Sequence, residues 1–168
     1  MSVRAMIQTG PRAIEVAHFE RPRPGAHEAL LRVEGCGMCG SDYEQYQGAF
    51  DSAGIIDHYP VIPGHEAVGI IEEIGDDAAS AWGVAVGDRV GVEPFASCGV
   101  CGSCTAGKYT LCTRGHRYGF TPSDIGAGLW GGYSEYMLLR GNTILHKIDH
   151  SLAVEDAVLF NPLGGGLE

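Results

Sequence analysis

Short apolar runs separated by turn residues recur at nearly regular intervals along the chain. Ala29-Leu30-Leu31-Arg32-Val33 alternates on one face, and Ala67 to Ile74, Asp88 to Val92 and Tyr133 to Leu139 are further runs of strand length. Gly75-Asp76-Asp77, Val86-Gly87-Asp88 and Gly131-Gly132 punctuate them as turns. Many short strands joined by glycine-rich turns predict a mainly β sandwich or barrel. Two short helices are predicted beside it. Ser41-Asp42-Tyr43-Glu44 has capping-box spacing with Ser41 as N-cap, and Gly48 can close the segment. Ala153 to Phe160 is the second, stopped near Asn161-Pro162. Gly164-Gly165-Gly166-Leu167-Glu168 then belong to no element. They follow a helix, so they do not make a nucleotide-binding fingerprint, which needs strand, glycine-rich turn and helix in that order.

Composition sharpens this picture. Glycine is the outlier, with 26 of 168 residues, as a turn-rich chain requires. Hydrophobic residues at 45% and charged residues at 19% support a packed core rather than disorder. The formal net charge of -10, with no basic patch, argues against nucleic acid and anionic membrane as partners. The first ten residues lack an apolar run of signal-peptide length, and nothing reaches the roughly 18 apolar residues of a membrane span. The expectation is a cytoplasmic protein whose six cysteines stay reduced and serve as metal ligands before disulfides.

Four of those cysteines are close together. Cys98, Cys101, Cys104 and Cys112 form C-x2-C-x2-C-x7-C, four thiolates within fifteen residues. Zinc accepts four sulfurs in a tetrahedron, and that closed shell leaves no place for substrate. The implied role is structural, a staple for a loop with little core of its own. An iron–sulfur cluster of ferredoxin type needs its fourth cysteine after three intervening residues, followed by proline; here Lys108 stands in that place.

A second constellation lies upstream. Cys39-Gly40-Ser41-Asp42 is followed by Gly64-His65-Glu66. A thiolate, an imidazole and a carboxylate can hold a zinc that keeps a position open for substrate, and such a zinc acidifies an alcohol ahead of hydride loss. Each piece alone has a plainer reading. His65-Glu66 could be a surface pair, Cys36-x-x-Cys39 a redox pair, and Ser41 a helix cap.

In order along the chain, these segments resemble the N-terminal GroES-like catalytic domain of zinc-dependent medium-chain alcohol and polyol dehydrogenases. The resemblance rests on Gly35 to Asp42, on Gly64-His65-Glu66-Ala67-Val68-Gly69 with Gly75, and on Val86 to Val90. It also rests on the four-cysteine lobe and on Gly131 to Tyr136. It implies a mainly β, partly open GroES-like barrel over residues 1–160, with short helices and a zinc lobe held by four cysteines. Residues 161–168 would begin the connection to a Rossmann domain that these 168 residues do not hold. Cys39 and His65 would bind a catalytic zinc, with Glu66 as a direct or occasional ligand. Ser41 would pass on the alcohol proton, and Cys36 would be packing. The parent would be a homo-oligomeric oxidoreductase that interconverts a small alcohol or polyol and a carbonyl with NAD or NADP. The 168 residues alone would not turn over.

Two departures stand out. The family often places a histidine five residues after the ligand cysteine, where this chain has Glu44. Its third zinc ligand is usually a cysteine or an acid near the end of the domain, where this chain has Asn161, a neutral and poor zinc ligand. Tyr46, Phe50, Tyr59 and Phe95 are aromatic candidates for the surroundings of the site. Two further readings are a stand-alone zinc-binding module and a zinc-free relative of quinone-reductase type.

Overall fold

The computed structural model describes residues 2–165. The chain opens with an antiparallel hairpin, β1 (Ser2–Gly10) and β2 (Ala13–Glu20), turned at Arg12. Alternation in β1 buries Val3, Ala5 and Ile7 against Ile62 and Leu129, while β2 shows most of its side chains to solvent. Its apolar residues Ile14 and Val16 are among those exposed.

The main sheet is wholly antiparallel. It contains β3 (Ala29–Gly37), β4 (Glu66–Ile74), β5 (Arg89–Ala96), β6 (His116–Arg117), β7 (Tyr136–Leu139) and β8 (Thr143–Lys147). The hydrogen-bonded order is β6-β5-β4-β3-β7, and β8 also pairs with β5. Register shifts at Leu30/Leu31 and Val33/Gly35 curl β3 over β4. Such bulges bend a strand and raise its twist, which rolls the sheet into a partly open barrel. Leu31, Ala67, Ile71, Val90, Val92, Met137 and Leu139 fill it, with Trp130 and Tyr118. The two polar tips find partners: Trp130 Nε1 donates to Ile125 O at 2.6 Å, and the Tyr118 hydroxyl meets Thr143 Oγ1 at 2.8 Å. Gly131 is required by close approach, because a Cβ there would collide with the Ile62 carbonyl.

The four predicted strands are present as β3, β4, β5 and β7, and the helices differ more. The first, α1 (Gly40–Gln47), is capped by Cys39 and not by Ser41, and ends at Gly48 with φ 86. It is followed by α2 (Ala49–Ser52). Asp76-Asp77, expected in a turn, opens α3 (Asp76–Trp82), where carboxylates favour the helix N-terminus. The lobe carries α4 (Gly102–Thr105) and a 3-10 turn at Tyr109–Leu111. The C-terminal helix divides into α5 (Val154–Ala157) and α6 (Phe160–Gly165). Asn161-Pro162 therefore does not stop a helix; it sits in the first turn of α6, where proline's missing N–H costs nothing. Gly164 and Gly165 belong to α6, while Gly166, Leu167 and Glu168 lie outside the described residues.

Candidate metal centre

Strand β3 delivers Cys39 just beyond its end, and the loop before β4 delivers His65. Their reactive atoms converge: Cys39 Sγ lies 3.3 Å from His65 Nε2. Ser41, on the first turn of α1, joins them, with Oγ 2.8 Å from Cys39 Sγ and 3.2 Å from His65 Nε2. Zinc bonds of ordinary length at tetrahedral angles separate a sulfur from a nitrogen by about 3.5 Å. The pair is therefore already at the spacing an ion needs.

The other ring nitrogen of His65 faces Asp42 Oδ1 at 3.5 Å, with both side chains buried. Asp42 Oδ2 accepts the Cys39 amide at 2.8 Å, so one carboxylate braces both the cap of α1 and the imidazole. Burial pushes the Asp42 carboxyl up, but the facing His65 ring and the hydrogen bond from the Cys39 amide outweigh it and hold it below the usual carboxylate range. A metal-binding histidine characteristically gives its second nitrogen to such a carboxylate, which fixes the ring. Donor atoms of Cys39, Asp42 and His65 all lie within 4.8 Å of one another. In the sequence Asp42 reads only as part of a cap; the signal that it also faces the histidine is its place three residues after Cys39. Asp42→Asn should weaken zinc at this centre by about 10- to 100-fold, read by competition with a chelator.

Glu66 falls outside that trio. It is 5% exposed, and its Oε1 accepts Asn161 Nδ2 at 2.9 Å. Asn161 is thus engaged with Glu66 through its amide. Glu44 stands on the exposed face of α1. Of the aromatic candidates, only Phe50 reaches toward the centre, at 5.6 Å from Phe120, whose ring lies 5.3 Å from His65. Nothing in the hydrophobic pattern singles out Phe120. Tyr46 donates to Arg12 O, Tyr59 to Asp51, and Phe95 packs on Tyr109. Cys36 is packing: a Cβ on Gly64 or Gly132 would strike its sulfur, and burial pushes its thiol up to about 12.

The sulfur lobe is separate. Cys101 Sγ lies 3.4 Å from Cys104 and 3.9 Å from Cys112, and Cys98 lies 3.9 Å from Cys104. All four cysteines are free thiols. A tetrahedron of zinc–sulfur bonds has edges of about 3.8 Å, whereas a disulfide brings sulfurs to about 2 Å. Backbone N–H groups of Val100 and Cys101 pull the Cys98 thiol down to about 6. Burial and the neighbouring thiols push Cys104 up to about 11.

Comparison with known proteins agrees with this architecture. Residues 25–150 match the alcohol dehydrogenase GroES-like domain, and the chain belongs to that family. A probable alcohol dehydrogenase of Mycobacterium tuberculosis is 45% identical over 98% of this chain and 44% of that protein. An erythritol/L-threitol dehydrogenase of Mycolicibacterium smegmatis is 34% identical over 98% of this chain and 46% of its own length. Among solved structures, a short chain alcohol dehydrogenase from Escherichia coli complexed with NADH superposes with TM-score 0.77 at 32% identity, covering 96% of this chain and 42% of that one. A putative zinc-binding dehydrogenase from Sinorhizobium meliloti bound to NADP gives 0.77 at 29% identity, over 95% of this chain and 42% of that one. The chain therefore spans less than half the length of these relatives. No helix among the described residues is long and apolar enough to cross a membrane.

Proposed function

We propose that this chain is the catalytic-domain portion of a zinc-dependent oxidoreductase. It interconverts an alcohol or polyol and a carbonyl by hydride transfer with NAD or NADP. The observation that carries the reading is the meeting of Cys39 Sγ, His65 Nε2 and Ser41 Oγ within 3.3 Å of one another. The names of the relatives, alcohol and erythritol/L-threitol dehydrogenases, supply the substrate class.

Cys39 and His65 hold the catalytic zinc, and Cys98, Cys101, Cys104 and Cys112 hold the structural one. When bound at the first site, zinc supplies Lewis acidity toward an alcohol or carbonyl oxygen. The remaining work falls to the chain's own groups. Asp42 keeps His65 Nε2 aimed at the centre. Ser41 can accept the alcohol proton and donate its own, because a hydroxyl does both. Onward exit runs through water or toward Glu44 on the exposed face of the same helix. Phe120 packs beside the imidazole, with ring centroids 5.3 Å apart.

Residues 1–160 make up this domain, and 161–168 begin the connection to a Rossmann domain that carries the nicotinamide, since no side chain accepts a hydride. The parent is a cytoplasmic homo-oligomer; the reducing cytoplasm suits six cysteines that form no disulfide. An assay over alcohols and polyols with NAD and NADP tests the reading. The 168 residues alone should give no turnover. Joined to the nucleotide-binding half of a relative, they should reduce the nicotinamide with at least one alcohol. Failure across the panel with both zinc sites filled would contradict the proposal.

A further inference from the structure

Asn161 stands where the family's pattern leads one to expect a ligand, yet its amide is committed elsewhere. Phe160, at the start of α6, packs its ring over Gly91 of β5 and lies 6.1 Å from the His146 ring. That docking places Asn161 over the first residue of β4, and Nδ2 donates to Glu66 Oε1 at 2.9 Å. The other carboxylate oxygen packs against Gly37, the cross-strand partner of Glu66, where a Cβ would collide with Oε2. Glu66 is thus buried, held at Oε1 by Asn161, and outside the trio of Cys39, Asp42 and His65.

We propose that Asn161 is a positioning residue that tethers the Glu66 carboxylate away from the Cys39–His65 centre and so keeps it out of the ion's coordination shell. The inference rests on the metal centre proposed above. A neutral amide suits this task. It offers a donor to the carboxylate, whereas an acid in its place would repel Glu66 and compete for the ion. A hydrogen bond to a buried charge is strong enough to matter, because removing its donor leaves the carboxylate uncompensated until it finds another partner.

The test is a zinc titration of the 168-residue chain against a chromophoric chelator, with the sulfur lobe filled first. Asn161→Ala should tighten the second zinc by about tenfold, because the freed carboxylate joins the ion. In a Glu66→Gln background the same change should have no effect, which a purely structural role for Asn161 does not predict. Unchanged or weaker binding in Asn161→Ala overturns the tether; weaker binding would make Asn161 a ligand or a support for a bound Glu66. A gain that survives Glu66→Gln also overturns it. A wild-type chain that takes up zinc only in the lobe overturns the metal centre itself, and the inference with it. Far-UV circular dichroism and a filled lobe establish that each variant is folded.

Discussion

Replacing Cys101 by serine is expected to strip the sulfur lobe of its metal and lower the melting midpoint of the chain by about 10 °C. The size follows from how little else holds the lobe. Its helix α4 has four residues, none of them buried, and its 3-10 turn has three, again with none buried. Val100 and Leu111 point outward at 74% and 61% exposure. An ion bound by the four thiolates would therefore serve as the lobe's core, and its binding free energy would be folding free energy. Losing one thiolate leaves three crowded sulfurs and a loop that must order itself unaided, a cost of roughly 4 kcal/mol. A chelator strong enough to empty the lobe should reproduce the shift in the wild-type chain. A melt and a zinc content both unchanged in Cys101→Ser would show that the lobe stands without metal.

Cys39→Ala should behave in the opposite way. Zinc content should fall to the lobe's share alone while the melting midpoint moves little, because Cys39 is half-buried at the rim of the barrel and the core packs without it. The larger effect belongs to activity. In a protein that carries the nicotinamide-binding domain as well, the loss should reach roughly 10³-fold or more, since Lewis acidity contributes several kcal/mol to such reactions. Ser41→Ala separates the roles: zinc should stay bound while turnover falls. Loss of zinc in Ser41→Ala would make the hydroxyl a ligand rather than a proton carrier.

The sequence is most legible where chemistry demands fixed spacing. The four lobe cysteines, and Cys39 with His65 across twenty-six positions, meet as their motifs imply. The strands with apolar alternation, β3 and β4 above all, are readable because one buried face leaves a period of two. What stays hidden has physical reasons. Strand β2 is exposed on most of its length, so burial imprints no pattern on it. Asp76-Asp77 reads as a turn by composition but opens a helix, because acids suit either setting. Capping-box spacing at Ser41 is real chemistry in the wrong frame: the box runs from Cys39, two residues earlier, to Asp42. That shift explains why Asp42 is undervalued in the sequence, since the frame gives it no partner, whereas the fold gives it His65. The bond from Asn161 to Glu66 spans 95 positions, and no local rule reaches that far.

Anomalous diffraction from zinc-soaked crystals, collected above and below the zinc edge, tests the central claim most directly. Two peaks are predicted, one enclosed by the four lobe sulfurs and one touching Cys39 Sγ and His65 Nε2. A single peak in the lobe, with Cys39 and His65 still in contact and no density between them, would contradict the account.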